Sequence, residues 1–226
     1  MSPDPTAALE PRGRVALERV LELLAEERAS VSSVVDERAW KVHVADSLTG
    51  LRVPGLRAAA RIADVGAGAG FPGLALAVAL PEARVDLIES VSRKCAFMER
   101  AVEAAGIPNA TVLDTRSEDW AKADGREAYE AVTARAVGRL STLAELASPL
   151  LKPNGVLIAW KGKRDEDEEN QLDRAAESLA MRPENVLDVG TEAGSRHRHL
   201  HVIRKVGATP TNLPRRPGMA KKRPKG

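Results

Sequence analysis

The run Arg61–Gly73, RIADVGAGAGFPG, constrains this chain more than any other stretch. A short apolar strand leads straight into three alternating glycines, Gly66, Gly68 and Gly70. FPGLALAVAL (71–80) then resumes as a helix stopped by Pro81. Alternating glycines let a backbone turn tightly and approach a ligand with no Cβ in the way. A strand, a glycine loop and a helix in immediate succession form the opening unit of an α/β fold.

The alternation continues downstream. ARVDLIE (83–89), ATVLD (110–114), YEAVTAR (129–135) and GVLIAWKG (155–162) read as strands. Between and after them, SRKCAFMERAVEAAG (92–106), LSTLAELASPLL (140–151) and Asp165 to about Ala180 read as helices, and Glu118 and Asp119 as an acidic turn. Two late runs, ENVLDVG (184–190) and HLHVIRK (199–205), have no helix between them and predict a closing antiparallel hairpin. The expected fold is therefore α/β and Rossmann-like: a seven-stranded, mostly parallel sheet with a closing antiparallel strand. Residues 14–28 carry Val15, Val20, Leu21 and Leu24 at helical spacing, and residues 31–51 form a second, less regular helical region. The expected division is a helical extension over 1–50, a core domain over 51–206 and a tail over 207–226.

Composition narrows the class. The single cysteine, Cys95, excludes an intrachain disulfide and a clustered-thiol metal site. No uninterrupted apolar run approaches the ~18 residues of a membrane span, and MSPDPTAALEPRGR lacks the pattern of a secretory leader. A soluble, cytoplasmic protein without a membrane partner is expected. The net charge of +2 hides an asymmetry: residues 207–226 hold six Lys or Arg and no acid, leaving 28 basic against 32 acidic side chains elsewhere. That tail also carries four of the 14 prolines, so an extended arm is expected. It suits a polyanion such as RNA, or serves only as a solubilising tail.

The glycine loop admits two ligand readings. Gly68, Gly70 and Gly73 satisfy GxGxxG, the dinucleotide fingerprint, and Glu89, 19–21 residues on, fits the ribose-binding carboxylate that both readings need. Asp64, two residues before Gly66, makes the pattern DxGxGxG; an acid there holds the loop or accepts from an ammonium group, which pyrophosphate does not offer. Ser117-Glu118-Asp119 follows the third strand, where a carboxylate can accept from an adenine amine. These features favour S-adenosylmethionine over NAD. A loop serving only tight strand–helix packing remains the plain alternative.

IADVGAGAGFPGLALA, VDLIES, TRSEDW, VTARAVGRLSTLAELASPLLKPNG and AWKG, in this order, resemble the bacterial 16S ribosomal RNA guanine-N7 methyltransferase family. The resemblance covers about residues 43–206; HVADSL (43–48) and TARAVGRL carry it, and VIRKVGATPTNLPRRPG is similar to the basic C-terminus of some members. It implies a class I methyltransferase fold and methyl transfer from S-adenosylmethionine to N7 of one guanine, position 527 in the family's name, in the 530 loop of 16S RNA. It also implies cofactor contacts at Gly66, Phe71, Ser117, Glu118 and Arg135. Many relatives carry a KWN…NLT segment where this chain reads ERASVSSVVDERAW, so no role is carried onto the first 40 residues.

Each candidate has a plainer reading beside it. Phe71 walls the pocket or anchors the core. Arg135 clamps a cofactor carboxylate, a phosphate or a guanine edge, or makes a surface ion pair. The Asn/Asp-Pro-Pro-aromatic motif of exocyclic-amine methyltransferases is absent after Ala134, as suits N7: its in-plane lone pair carries no proton, so attack needs positioning rather than a base, and no catalytic side chain is singled out. Cys95 lies within a helix and reads as a buried core thiol rather than a nucleophile. His43 and Asp46 share a helix face near the pocket, or simply cap and pack. His197, His199 and His201 read as a partly exposed strand beside RNA-contacting cations rather than as metal ligands, and Asp165–Glu169 as a solvated helix start. RNA contacts are expected from Arg196, Arg198, Arg204 and Lys205, and from Arg215, Arg216, Lys221, Lys222 and Arg223 in the tail. The expected partner is 16S RNA or the 30S particle, bound by a monomer, and truncation after Val206 is expected to weaken RNA binding while sparing the cofactor. Three other functions stay open: a methyltransferase acting on a small molecule or protein, a non-catalytic ribosome-binding factor, and an NAD oxidoreductase.

Overall fold

A computed structural model describes residues 4–27, 32, 34–190 and 197–226. Seven strands form one sheet: β1 (Arg61–Val65), β2 (Arg84–Glu89), β3 (Ala110–Asp114), β4 (Tyr129–Arg135), β5 (Leu151–Lys161), β6 (Met181–Asp188) and β7 (His199–Lys205). Their order is β3-β2-β1-β4-β5-β7-β6; β7 alone runs antiparallel to its neighbours, inserted between β5 and β6. The α/β class, the seven strands and the antiparallel closure are those the alternation predicts. After β1 the chain winds outward to β3, then returns to place β4 on the other side of β1. The carboxyl ends of β1 and β4 therefore form a topological switch point, where open α/β sheets bind their ligands.

The helices are α1 (Pro11–Glu26), α2 (Asp46–Leu48), α3 (Pro54–Arg57), α4 (Gly73–Ala79), α5 (Ser92–Ala105), α6 (Ser117–Trp120), α7 (Leu140–Ala147), α8 (Glu166–Ala176) and α9 (Met219–Lys222). On one face of the sheet, α1, α4 and α5 close over Ile62, Val85 and Leu87; on the other, α7 and α8 close over Ala63, Val132 and Leu157. Helix α1 begins with Pro11 in its first turn, where a missing N–H costs nothing. It buries Leu17, Val20 and Leu24, and each such side chain contributes roughly 1.5–3 kcal/mol. The region expected to be a loose helix over 31–51 forms, in its described part, a wide π-helical turn (Trp40–Ala45) that runs into α2 and a tight turn (Thr49–Arg52).

Two boundaries differ from the expectation for a common reason. The helix expected to reach Leu151 ends at Ala147, and the strand expected from Gly155 already starts at Leu151. Leu151 pairs with Tyr129 and Val156 with Ala131, so Lys152–Gly155 bulge out of the ladder, and Asn154 adopts φ +66°. A bulge embeds turn-forming residues inside a strand, which a reading by local composition divides at the Pro-Asn-Gly.

Candidate functional site

The glycine loop is built from inside the sheet. Gly66 N–H and Ala67 N–H both donate to Ile88 O of the neighbouring strand, at 2.8 and 3.2 Å, folding the loop over the end of β2. Gly66 has φ +68°, and a Cβ there would stand 2.7 Å from Val137 Cγ2. At Gly73 a Cβ would stand 2.2 Å from Leu87 Cδ2 and 2.9 Å from Asp64 Oδ2, so α4 starts pressed onto the strand beneath it. These two positions need glycine for backbone conformation and for close approach, respectively.

Asp64 holds this arrangement. It is fully buried; Oδ2 accepts from Gly73 N–H at 2.9 Å and Oδ1 from Thr133 Oγ1 at 3.0 Å. Burial pushes its carboxyl up to about 6, against the lowering effect of those hydrogen bonds and of Arg135. Of its two expected roles, the structure places it in the loop-holding one, because both oxygens face inward. The N–H of Gly73 goes to Asp64 and that of Leu74 to Gly70 O. The first two N–H groups of α4 are therefore bonded within the protein, and the Asp64 carboxyl lies where a pyrophosphate would bring further negative charge.

A cavity of about 370 Å³ opens at the switch point, within the range of small-molecule sites. Val65, Gly66 and Glu89 form its floor, Ser117 and Glu118 at the start of α6 one side, and Val137 and Thr142 the other. Glu89 Oε2 accepts from Gly68 N–H at 3.1 Å, and its Oε1 from Ser90 N–H and Val91 N–H at 2.8 and 3.0 Å. The carboxylate is thereby fixed at the end of β2 with further lone pairs open to a diol. Ser117 Oγ lies 3.3 Å from Glu118 Oε2. Gly66, Glu89, Ser117 and Glu118 are thus brought to one cavity, while Gly68 and Gly70 shape the loop beside it. Lys94 and Arg116 at the rim were not singled out from sequence; in local pattern each is one more charge near a helix start.

Phe71 and Arg135 lie elsewhere. Phe71 is buried in the core, stacked on His43 with ring centroids 5.1 Å apart, and the Arg135 guanidinium lies 6.0 Å from its ring centroid. Neither lines the cavity. Arg135 Nη1 donates to Val42 O and Asp46 Oδ2, both at 3.0 Å, so its ion pair is internal rather than on the surface. Asp46 is buried, with Arg198 Nε 2.9 Å from its Oδ1, an ion-pair contact whose N–H does not point at the oxygen. Burial pushes the Asp46 carboxyl up, and the two guanidiniums pull it the other way. His43 Nε2 lies 2.9 Å from Val34 O and donates to it; this leaves Nδ1 to accept from Arg135 Nη2 at 3.4 Å, a neutral ring whose pKa burial lowers. His43 and Asp46 thus act with Arg135 as one buried polar cluster.

The remaining candidates divide by burial. Cys95 is buried in α5 with Sγ 3.4 Å from Glu89 O, and burial pushes its thiol up to about 11. Asp165 caps α8, but the expected solvated helix start does not extend to Glu168, which accepts from Leu140 N–H at 2.7 Å and Lys161 Nζ at 2.6 Å. His199 Nδ1 donates to Gly162 O, and His201 is buried 3.9 Å from Glu169, so the partly exposed histidine strand is exposed only in part of its length. Arg196 lies outside the described residues.

The cations expected to contact RNA include several that face inward. Lys205 is fully buried, its Nζ within 2.6–2.8 Å of Glu127 Oε1, Ser148 O, Leu151 O and Thr209 Oγ1. Arg204 pairs with Glu184, and Arg215 with Glu145. Arg216, Lys221, Lys222 and Arg223 stand exposed. The tail is not a free extended arm: Leu213 and Ala220 are buried, residues Met219–Lys222 form α9, and Gly218, Ala220 and Lys221 line the cavity. An arm that walls the cavity cannot be removed without opening it, whereas the sequence alone led to the expectation that truncation spares the cofactor. Among the described residues no helix is long and apolar enough to cross a membrane.

The family model described as rRNA small subunit methyltransferase G (GidB) matches residues 17–201. The chain belongs to this family. It is 39% identical to the ribosomal RNA small subunit methyltransferase G of Pelotomaculum thermopropionicum over 86% of this chain and 82% of that one. It is 35% identical to the protein of the same description from Bacillus subtilis, over 96% and 92% of the two chains. Among solved structures, a SAM-dependent methyltransferase from Aquifex aeolicus superposes with TM-score 0.56 at 20% identity, covering 76% of this chain and 94% of that chain. The fibrillarin pre-rRNA processing protein of Methanococcus jannaschii superposes with TM-score 0.56 at 15% identity, covering 72% and 74%. These two likenesses concern the fold, and they place this methyltransferase G family member on the α/β sheet described above.

Proposed function

We propose that this protein transfers a methyl group from S-adenosylmethionine to N7 of one guanine, position 527, in the 530 loop of 16S RNA, acting on the RNA or on the 30S particle in the cytoplasm. Family membership supports the substrate class, and the switch-point cavity supports the cofactor. The observation that carries the cofactor reading is Glu89: its carboxylate is pinned by three backbone N–H groups at the end of β2 and faces a cavity shaped by Gly66. A ribose diol fits that acceptor, and Glu118 with Ser117 fits an adenine edge. NAD is disfavoured because the first two donors of α4 are taken by Asp64 and Gly70 O, with a carboxyl beside them.

When bound, the cofactor supplies an electrophilic methyl carbon on sulfonium sulfur. The protein's part is positioning. Glu89 orients the ribose, Gly66 and Val137 bound the floor and side of the pocket, and the buried Arg135–Asp46–His43 cluster braces Phe71 behind the glycine loop. Guanine N7 presents its lone pair without a proton to remove, so the rate gain comes from holding N7, methyl carbon and sulfur in line. The exposed Arg216, Lys222 and Arg223 supply salt-sensitive phosphate contacts. The test is transfer of labelled methyl to 16S RNA and to 30S particles lacking the modification, with the modified base mapped by cleavage at N7-methylguanine. Label at a single guanine of the 530 loop is expected; absence of label in both substrates, despite cofactor binding, refutes the RNA assignment.

A further inference from the structure

The tail is pinned along its length rather than merely laid on the surface. At its root Thr209 N–H and Oγ1 both donate to Glu127 Oε1, at 2.8 and 2.7 Å, beside the buried Lys205 ammonium. Further on, Arg215 forks Glu145 of α7: Nε donates to Oε1 at 2.6 Å and Nη2 to Oε2, and Nη2 also donates to Arg223 O. Glu145 is only 3% exposed, so this carboxylate needs a partner. On the opposite wall of the cavity, Gly218 N–H donates to Glu118 Oε1 at 2.7 Å. The segment 215–223 therefore crosses between α7, which follows β4, and α6, which follows β3, with Ala220 facing the cavity.

The bond from Gly218 has a consequence for Glu118. One carboxylate oxygen is held by a backbone donor of the tail, which fixes the side-chain rotamer. Its other oxygen, Oε2, accepts from Ser117 Oγ at 3.3 Å and keeps a further lone pair for a ligand donor. Resting on the S-adenosylmethionine reading above, we propose that residues 215–221 are a wall of the cofactor site, in which Arg215 and Gly218 are positioning residues that aim Glu118 at the exocyclic amine of the adenine. Arg215 acts through Glu145 and the loop it closes; it does not touch the cofactor. Because strap closure and cofactor binding share this geometry, each favours the other by the same factor.

The test uses the full chain and three ligands: S-adenosylhomocysteine, adenosine, and the inosine analogue of S-adenosylhomocysteine, whose carbonyl replaces the amine. Wild type is expected to bind S-adenosylhomocysteine well above the inosine analogue, because Glu118 accepts from an amine and repels a carbonyl. Arg215→Ala is expected to weaken S-adenosylhomocysteine and adenosine alike, by about tenfold, within the usual range of coupling between two sites. It should also collapse the discrimination against the inosine analogue, a readout that simple loss of stability leaves in place. Tryptic release of the C-terminus at Lys221 and Lys222 should slow when S-adenosylhomocysteine is added to wild type and not when it is added to the variant. The exchanged pair Glu145→Arg with Arg215→Glu is expected to restore both affinity and discrimination. If Arg215→Ala frees the tail to trypsin yet keeps wild-type affinity and discrimination, the wall assignment is overturned. If wild type itself binds no S-adenosylhomocysteine, the cofactor reading falls, and the strap proposal with it.

Discussion

Replacing Asp64 with asparagine isolates the electrostatic cost of the carboxylate that holds the glycine loop. Burial raises the folded-state pKa from 3.8 to about 6, with Glu89 adding to the rise and the Gly73 and Thr133 hydrogen bonds and Arg135 opposing it. A carboxyl whose folded pKa lies above its unfolded one contributes stability that is complete below the unfolded value and is lost as pH rises through the folded one. At about 1.4 kcal/mol per unit, the loss comes to about 3 kcal/mol across the whole window, of which about 2 kcal/mol falls between roughly pH 4.5 and 7.5. Asparagine fits the same site: its Oδ1 can accept from Gly73 N–H, and its amide can donate to Thr133 Oγ1, whose own proton then turns to Ala63 O at 3.4 Å. Asp64→Asn is therefore expected to gain on wild type by about 2 kcal/mol between pH 4.5 and 7.5 in urea denaturation followed by tryptophan fluorescence. A difference that is flat over this range refutes the reasoning, as does one that moves in favour of wild type with rising pH. Either result would mean that the hydrogen bonds outweigh desolvation at Asp64.

Three further outcomes follow from the site. Glu89→Gln keeps the side chain's size but removes the charge on which three backbone N–H groups converge and which we propose binds the ribose; S-adenosylhomocysteine affinity measured by calorimetry should fall at least tenfold, with a loss of about 1.5–3 kcal/mol. Gly66→Ala places a methyl group 2.7 Å from Val137 Cγ2 at φ +68°, and should lower stability by about 1–2 kcal/mol while abolishing cofactor binding, checked by thermal unfolding and calorimetry on the same samples. Arg135→Ala strips Asp46 of one of its two guanidiniums inside the protein; a stability loss of about 3–5 kcal/mol is expected in chemical denaturation, whereas a loss below about 1 kcal/mol would show that Arg198 alone suffices.

What was legible in the sequence is what short-range pattern encodes. The strands at Arg61–Val65, Ala110–Asp114, Tyr129–Arg135 and His199–Lys205 match their apolar runs residue for residue, because each is bounded by a charge, a glycine or a turn. The ends of α7 and β5 did not, since the bulge at Lys152–Gly155 puts turn residues inside a ladder. The cavity's floor could be read because Gly66 follows one strand and Glu89 ends the next in an alternating fold, and the sheet order brings these strand ends together. The tail could not. Its six cations and four prolines describe a solvated arm in any local reading, and what folds it back is a set of contacts at long range: Thr209 to Glu127, Arg215 to Glu145 and Gly218 to Glu118.

The same distinction explains Arg135. HVADSL and TARAVGRL carry the family resemblance as two separate segments, yet in the fold they are two sides of one cluster: Arg135 reaches Asp46 and Val42 O, His43 stacks on Phe71, and Trp160 Nε1 donates to Asp46 O at 2.9 Å. The Asp46 carboxylate is buried and is tolerated because the guanidiniums are present, so a change at Arg135 alone would leave it less compensated in the interior. A strong motif in sequence can thus mark a mutual burial requirement as readily as a ligand contact. The two residues differ in their partners: Glu89 is held by backbone N–H groups and lines the cavity, whereas Arg135 pairs with Asp46 and does not line it. Arg135 is thus tied both to the helical turn of HVADSL and to Phe71 after the glycine loop, and it joins the two segments that carry the resemblance.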